Sequence, residues 1–301
     1  MHEVIIIGGG IAGATAAIYA SRKRMNFLLI TKKLGGQLLE TGGVVNYPGI
    51  VTTKGAEFSL AIEEQLKFNN VEPRIGEEVK KIEKTKAGFR IFSDKENYES
   101  KTIIIATGSK PRKIGVPGEE AFARKGVTYC SICDGPLFSG KDIAIIGGGN
   151  SALEGVDFTK DIARKIYLIN IGGKLTAHEY LTEKIKSYKN IEIINEAKTT
   201  KIIGDKFVTG LIYEKNHKVH RLEIQGIIVE IGRMPNTGFL EGFLQLDDHK
   251  HIVVDCQTRT SIEGIFAAGD CTSVHEYQYI IAAGQGCVAL LKAARYLANK
   301  K

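Results

Sequence analysis

The chain has 301 residues, 43% of them hydrophobic and 25% charged. That is the balance of a globular protein and excludes a disordered chain, a collagen and a coiled coil. The formal net charge is +7, yet no Lys/Arg run exceeds Arg22-Lys23-Arg24, so an acidic protein or a phosphate-bearing partner is expected and nucleic acid is not.

At this length two domains are expected. The chain opens as a strand: Val4-Ile5-Ile6-Ile7 is a β-branched run of the kind buried on both faces of a sheet. Gly8-Gly9-Gly10-Ile11-Ala12-Gly13 follows, then an Ala-rich helix to about Arg22 and a second strand at Phe27-Leu28-Leu29-Ile30. Residues 4–21 carry no charge, so length alone would allow a membrane span. The positive charges, however, come after this run rather than before it, the reverse of a signal peptide. We read strand, turn and helix, no membrane segment, and a cytoplasmic location. Gly8-x-Gly10-x-x-Gly13 at a strand-to-helix turn suits a dinucleotide. The glycines admit a pyrophosphate to the backbone, and the helix N-terminus stabilises its charge.

The same unit recurs. Asp142–Ile146 is a strand, Gly147-Gly148-Gly149-Asn150-Ser151-Ala152 the turn, a helix runs to about Ile162, and Lys165–Ile169 is the next strand. Further β segments are expected at 88–92, 102–105, 191–194 and 226–231. Ser109–Lys113 reads as a linker, and a second crossing lies near 232–237. The last βα unit is Gly264-Ile265-Phe266-Ala267-Ala268-Gly269-Asp270 followed by a C-terminal helix. Asp270, ending a buried strand, is placed either to bind ligand hydroxyls or to cap a helix.

Of five cysteines, only Cys130 and Cys133 are close in sequence; Cys256, Cys271 and Cys287 read as small buried hydrophobes. This is not a secreted disulfide scaffold. No second CxxC or nearby His pair completes four zinc ligands, so no metal is expected. His178 and His275 read as surface or packing residues.

Together these pieces resemble the low-molecular-weight thioredoxin reductases over essentially the full length. They are Gly8-x-Gly10-x-x-Gly13, Gly35-Gly36-Gln37-Leu38, Asn46-Tyr47-Pro48-Gly49, Ala106-Thr107-Gly108, Cys130-Ser131-Ile132-Cys133-Asp134-Gly135, Gly147–Ala152, Gly232-x-x-Pro235-Asn236-Thr237 and Gly264-x-Phe266-Ala267-Ala268-Gly269-Asp270. Cys133–Phe138 and Val229–Gly232 are also similar to the flavoprotein component of alkyl hydroperoxide reductases, whose extra thioredoxin-like N-terminal portion is not expected here.

The resemblance implies an α/β fold with two Rossmann-like domains. The FAD-binding domain would comprise 1–112 and 241–301, and an NAD(P)-type domain, 113–240, would carry the CxxC pair. FAD would lie on Gly8, Gly10, Gly13, Gly35, Gly36, Gln37 and Leu38, near Asn46, beside Thr107 and Gly108, and on Asp270 and Gln278. The residue before that glutamine is usually arginine; here it is Tyr277. Cysteines at i and i+3 can close a reactive disulfide. The resemblance makes Cys133 the flavin-facing sulfur and Cys130 the one that attacks a thioredoxin or glutaredoxin-like protein. Asp134 is the neighbouring carboxyl able to relay a proton, or else a turn aspartate. A homodimer is also implied.

The sequence departs from the family at the electron donor. Thioredoxin reductases carry a His-Arg-Arg-x-x-x-Arg run after the second strand of the nucleotide domain; here those positions are Asn170, Ile171, Gly172 and Thr176. An NAD-type acidic residue is absent too, so NAD(P)H use is doubtful. Relatives without the run take electrons from ferredoxin or another non-nicotinamide donor. A flavin dithiol oxidase using oxygen and a non-catalytic redox sensor remain alternatives.

Overall fold

The computed structural model describes residues 1–41 and 43–300. The chain separates into two compact units, Met1–Lys110 with Met234–Lys301, and Pro111–Arg233.

The first unit is built on a seven-stranded sheet. Its path runs Arg74–Ile75, Phe27–Leu34, His2–Gly9, Asn97–Ile105, Gly88–Ser93 and Val79–Thr85, with Ile265–Ala267 pairing beside Asn97–Ile105. The strands around His2–Gly9 are parallel, and Val79–Thr85 and Gly88–Ser93 form an antiparallel meander at one side. Alternation explains the unbroken apolar run at the start. Val4, Ile6 and Ile104 pack in the helix-side core, while Ile5, Ile7, Ile103 and Ile105 pack in the core on the other face with Leu240, Ile252 and Ile265. A parallel sheet covered on both faces needs such runs. The helices Ile11–Arg22 and Tyr279–Asn299 pass very close together: a Cβ at Gly286 would lie 2.1 Å from the carbonyl oxygen of Ala12. By length and composition alone Tyr279–Asn299 could cross a membrane; instead its Ala282, Ala283, Gly286, Ala289, Leu290 and Ala293 are buried within this unit.

The second unit holds a five-stranded parallel sheet in the order Val127–Thr128, Gly226–Val229, Asp142–Ile146, Lys165–Ile169, Ile191–Ile194. A three-stranded antiparallel sheet, Lys198–Gly204, Val208–Lys215 and Lys218–Glu223, belongs to the same unit. The helix Asn150–Thr159 follows the second glycine turn. It stops three residues short of the expected Ile162, where the Thr159 hydroxyl donates back to the Gly155 carbonyl at 2.7 Å. The expected linker at 109–113 contains a short strand, Ser109–Pro111. In both units the glycine turn stands at the carboxyl end of a central parallel strand, where open α/β sheets bind ligands.

Candidate functional site

In the first unit the three motif glycines are glycine for different reasons. Gly8 has φ +116°, and a Cβ there would sit 2.2 Å from the Ala106 carbonyl oxygen; a Cβ at Gly13 would sit 1.8 Å from the Gly8 carbonyl oxygen. Protein packing alone excludes a side chain at both. Gly10 is different: its backbone is extended, with φ −77° and ψ −174°, and a Cβ would meet nothing within 4 Å. No neighbouring protein atom requires glycine at the N-cap of Ile11–Arg22, so the space is open to a ligand and the residues fit a pyrophosphate cradle. Gly108, at φ +67°, likewise faces open space.

Around this turn the fold joins residues far apart in sequence. Gly35 donates its N–H to the Gly9 carbonyl at 2.8 Å. Gln37 Nε2 donates to Asp270 Oδ2 at 2.7 Å and to the Ser109 carbonyl at 3.0 Å. Asn46 Nδ2 donates to Gln278 Oε1 at 3.2 Å. Leu38 is fully buried and serves the core, which leaves only its backbone for a ligand. Asp270 does not cap a helix; the N-cap of Tyr279–Asn299 is Gln278. Thr107 and Gly108 are held by Asn236, whose side-chain and backbone N–H groups each donate at 2.9 Å to their carbonyls.

In the second unit Cys130 and Cys133 form a disulfide. Cys130 caps the single turn Ser131–Asp134, and the Cys133 N–H donates to Cys130 Sγ at 3.2 Å. Ile132, between them, is 48% exposed. Asp134 Oδ2 accepts a hydrogen bond from the Thr128 hydroxyl, and its Oδ1 is buried without a hydrogen-bond partner among the described residues. Burial raises the carboxyl's pKa, and the Thr128 bond only partly opposes this. Below Ser131 lies Glu230, whose Oε1 accepts from the Ser131 hydroxyl at 2.7 Å and its N–H at 3.2 Å. Burial raises the pKa of Glu230 as well.

The second glycine turn repeats the logic of the first. A Cβ at Gly147 would lie 2.2 Å from the Glu230 carbonyl oxygen, whereas one at Gly149 would approach only Thr176 Oγ1, at 3.9 Å. The loop after Lys165–Ile169 folds onto the turn: Thr176 N donates to the Gly148 carbonyl at 2.7 Å. Asn170 is buried, and its amide is consumed within that loop. Nδ2 reaches the carbonyls of Gly172 and Lys174, each at 3.0 Å, and Asn195 Oδ1 at 2.9 Å, while Oδ1 accepts from Gly172 N at 3.2 Å.

A family model for pyridine nucleotide-disulphide oxidoreductases matches residues 2–287. The chain belongs to the pyridine nucleotide-disulphide oxidoreductase family. Within it, the chain is 38% identical over 299 residues to an alkyl hydroperoxide reductase subunit of Staphylococcus aureus (strain MSSA476), covering 98% of this chain and 59% of that protein. It therefore spans about three fifths of the length of these curated relatives. Thioredoxin reductase from Streptococcus pyogenes superposes with TM-score 0.92 at 33% identity, over 99% of both chains. A ferredoxin-flavin thioredoxin reductase from Clostridium acetobutylicum matches with TM-score 0.55 at 30% identity, over 99% of this chain and 98% of that one. The chain thus has the thioredoxin-reductase fold, with two Rossmann-like folds.

Sequence reading overlooks four contributors to the two sites. Glu230 stands out only as part of a motif, although it holds the CxxC turn from 99 residues away. Thr128 carries no motif of its own. Asn236 reads as part of the crossing. Gln285, whose Oε1 accepts the Gly269 N–H at 2.6 Å, sits in a helix that otherwise reads as core.

Proposed function

We propose that the chain is an FAD-dependent dithiol/disulfide oxidoreductase that reduces thioredoxin or a glutaredoxin-like protein. The observation that carries this reading is the Cys130–Cys133 disulfide beside a buried carboxyl, in a chain with a glycine turn open to a pyrophosphate. Gly8, Gly10 and Gly13 would receive the FAD pyrophosphate, Gln37, Asp270 and Gln278 its polar groups. FAD supplies the two-electron carrier. Two electrons and two protons open the Cys130–Cys133 bond to two thiols. The Cys133 N–H stabilises negative charge on Cys130 Sγ, which suits Cys130 to attack the substrate disulfide. Cys133 then displaces the substrate sulfur, re-forms the pair and releases a dithiol. Asp134 holds the proton that a departing thiolate takes. By resemblance to the thioredoxin reductases the enzyme is a homodimer.

The donor in this reading is not NADPH. Ferredoxin or another non-nicotinamide donor fits better, with NADH next. The consumed amide of Asn170 and the exposed Ile171 support this, as does the match to a ferredoxin-flavin enzyme.

Purified protein should carry about one FAD per chain. Gly10→Val tests the cradle: its backbone accommodates valine and its Cβ meets no protein atom, so the variant should fold. FAD affinity should fall ~10–100-fold, the scale of an overpacking cost of about 1–3 kcal/mol. Far-UV circular dichroism and flavin absorbance read the two effects separately. A folded variant that keeps its flavin would remove the turn from the site.

Asp134→Asn should lower thioredoxin turnover ~10²–10⁴-fold, the range of a lost general acid. Because the pKa is raised, the protonated form persists to higher pH, and wild-type disulfide reduction should decline as pH rises through it. The stability linked to this proton falls in the same direction, since the folded state holds it more tightly than the unfolded chain. An Asn variant with the same pH profile as wild type would leave Asp134 as a turn residue.

A further inference from the structure

The first unit contains a cluster of side chains that the redox reading does not use. Asp247 and His251 lie on a tight turn closed by the antiparallel bridge Leu246–Ile252. Asp247 Oδ1 accepts the N–H groups of His249 and His251, each at 2.9 Å. His275 comes from the segment after Asp270 and stands with φ +60°, a left-handed backbone that few non-glycine residues adopt. Its Nε2 lies 2.9 Å from Asp247 Oδ2. His251 Nδ1 lies 3.6 Å from Asp247 Oδ1. His251 is 1% exposed, and its Nδ1 is buried with no hydrogen-bond partner among the described residues. Asp247 Oδ2 is buried, and among the described residues it has no hydrogen bond beyond this close approach to His275.

The outer nitrogens of both rings share one partner. Tyr277 Oη lies 3.1 Å from His251 Nε2 and 3.3 Å from His275 Nδ1. A phenol oxygen has two acceptor lone pairs, so it can take an N–H from each ring. That assignment leaves His251 Nδ1 and His275 Nε2 as bare lone pairs facing a carboxylate. In that tautomer the three electron-rich atoms repel one another unless a metal ion or an added proton lies between them. One ligand atom from each of Asp247, His251 and His275 falls within 4.8 Å of the others. A tetrahedral zinc site with bonds of ~2.0–2.2 Å spaces its ligands by ~3.3–3.6 Å, so small side-chain rotations close the set.

We propose that Asp247, His251 and His275 bind a divalent cation of the zinc class, with Tyr277 orienting both imidazoles and a fourth position left to water. Two imidazoles and one carboxylate are a borderline-soft donor set that suits Zn²⁺ rather than Mg²⁺ or Ca²⁺. An outer partner fixing each ring through its second nitrogen is the usual support of such ligands. The ion would clamp the Asp247–His251 turn to the segment that carries Gln278, which already meets the turn's end through the Ile252–Thr272 bridge. The role is structural, and the site stands whether or not the flavin reading holds.

The test uses the untagged full chain, stripped with a chelator, desalted, and kept free of reductant so that Cys130–Cys133 remains closed, with Cys256→Ser in the background to remove the exposed thiol. Zn²⁺ is titrated against a chromophoric chelator. One equivalent should bind, and His251→Ala or His275→Ala should weaken it at least 100-fold. Tyr277→Phe should weaken it ~10–100-fold, as loss of an outer partner does, and His178→Ala should leave it unchanged. Zinc X-ray absorption of the same protein should show imidazole and oxygen ligands without sulfur, a readout independent of how the variants fold. Binding below a tenth of an equivalent, binding untouched by the histidine variants, or a sulfur-ligated spectrum each overturns the proposal.

Discussion

Cys130→Ser and Cys133→Ser should each abolish thioredoxin reduction while leaving FAD bound. Either serine removes the disulfide, and with it the group that accepts electrons from the carrier and delivers them as a nucleophilic thiolate. Turnover should drop by ~10³-fold or more, the scale of losing a covalent nucleophile. Flavin content should not move, because the glycine turn, Gln37 and Asp270 belong to the other compact unit. Serine is close to cysteine in volume, so the turn Ser131–Asp134 should persist with Glu230 still holding Ser131. The measurement is steady-state reduction of a thioredoxin disulfide with a chemical or protein donor, alongside the flavin spectrum. Retained turnover in either variant would take the CxxC pair out of the mechanism and favour a sensor.

The second large effect concerns NADPH, which at micromolar concentration should reduce the flavin poorly or not at all. The family's 2′-phosphate site uses guanidinium groups, and three are missing here. Each charge-assisted bond is worth about 1.5–3 kcal/mol, so their joint loss corresponds to at least ~10³-fold in affinity. The geometry sharpens this expectation. Asn170 cannot serve as a substitute, because its amide is spent on Gly172, Lys174 and Asn195. Ile171, 73% exposed, offers a phosphate no hydrogen bond. Lys174 is the one cation in the stretch 170–176. A pyrophosphate could still rest on the intact turn at Gly149, so weak NADH use is compatible with the same geometry. Anaerobic stopped-flow reduction with NADPH, NADH and reduced ferredoxin in turn decides among the donors. Rapid reduction by NADPH with micromolar half-saturation would show that phosphate recognition resides elsewhere in the chain.

The sequence by itself determined the two strand–turn–helix units, because their requirements are local. A strand buried on both faces needs a continuous apolar run, and Val4–Ile7 and Ile143–Ile146 supply one each. Gly8 and Gly147 stand at positive φ against a carbonyl oxygen, so their spacing is legible along the chain. Strands 142–146, 165–169 and 191–194 have the boundaries that their apolar runs predict. The strands Val79–Thr85 and Lys218–Glu223 are not legible in this way, since their exposed Lys and Glu positions dilute the pattern to a solvated segment. What tertiary structure alone decided is pairing across distance. Gln37 meets Asp270 over 233 residues, Glu230 reaches back 99 residues to Ser131, and His275 meets the Asp247–His251 turn from a separate segment. Asn170 is free to meet a ribose as far as its place in the chain goes, but its loop folds back and engages every polar atom of its amide. Hydrogen bonds and charge act through space over a few ångströms, and only the folded backbone sets which side chains come that near.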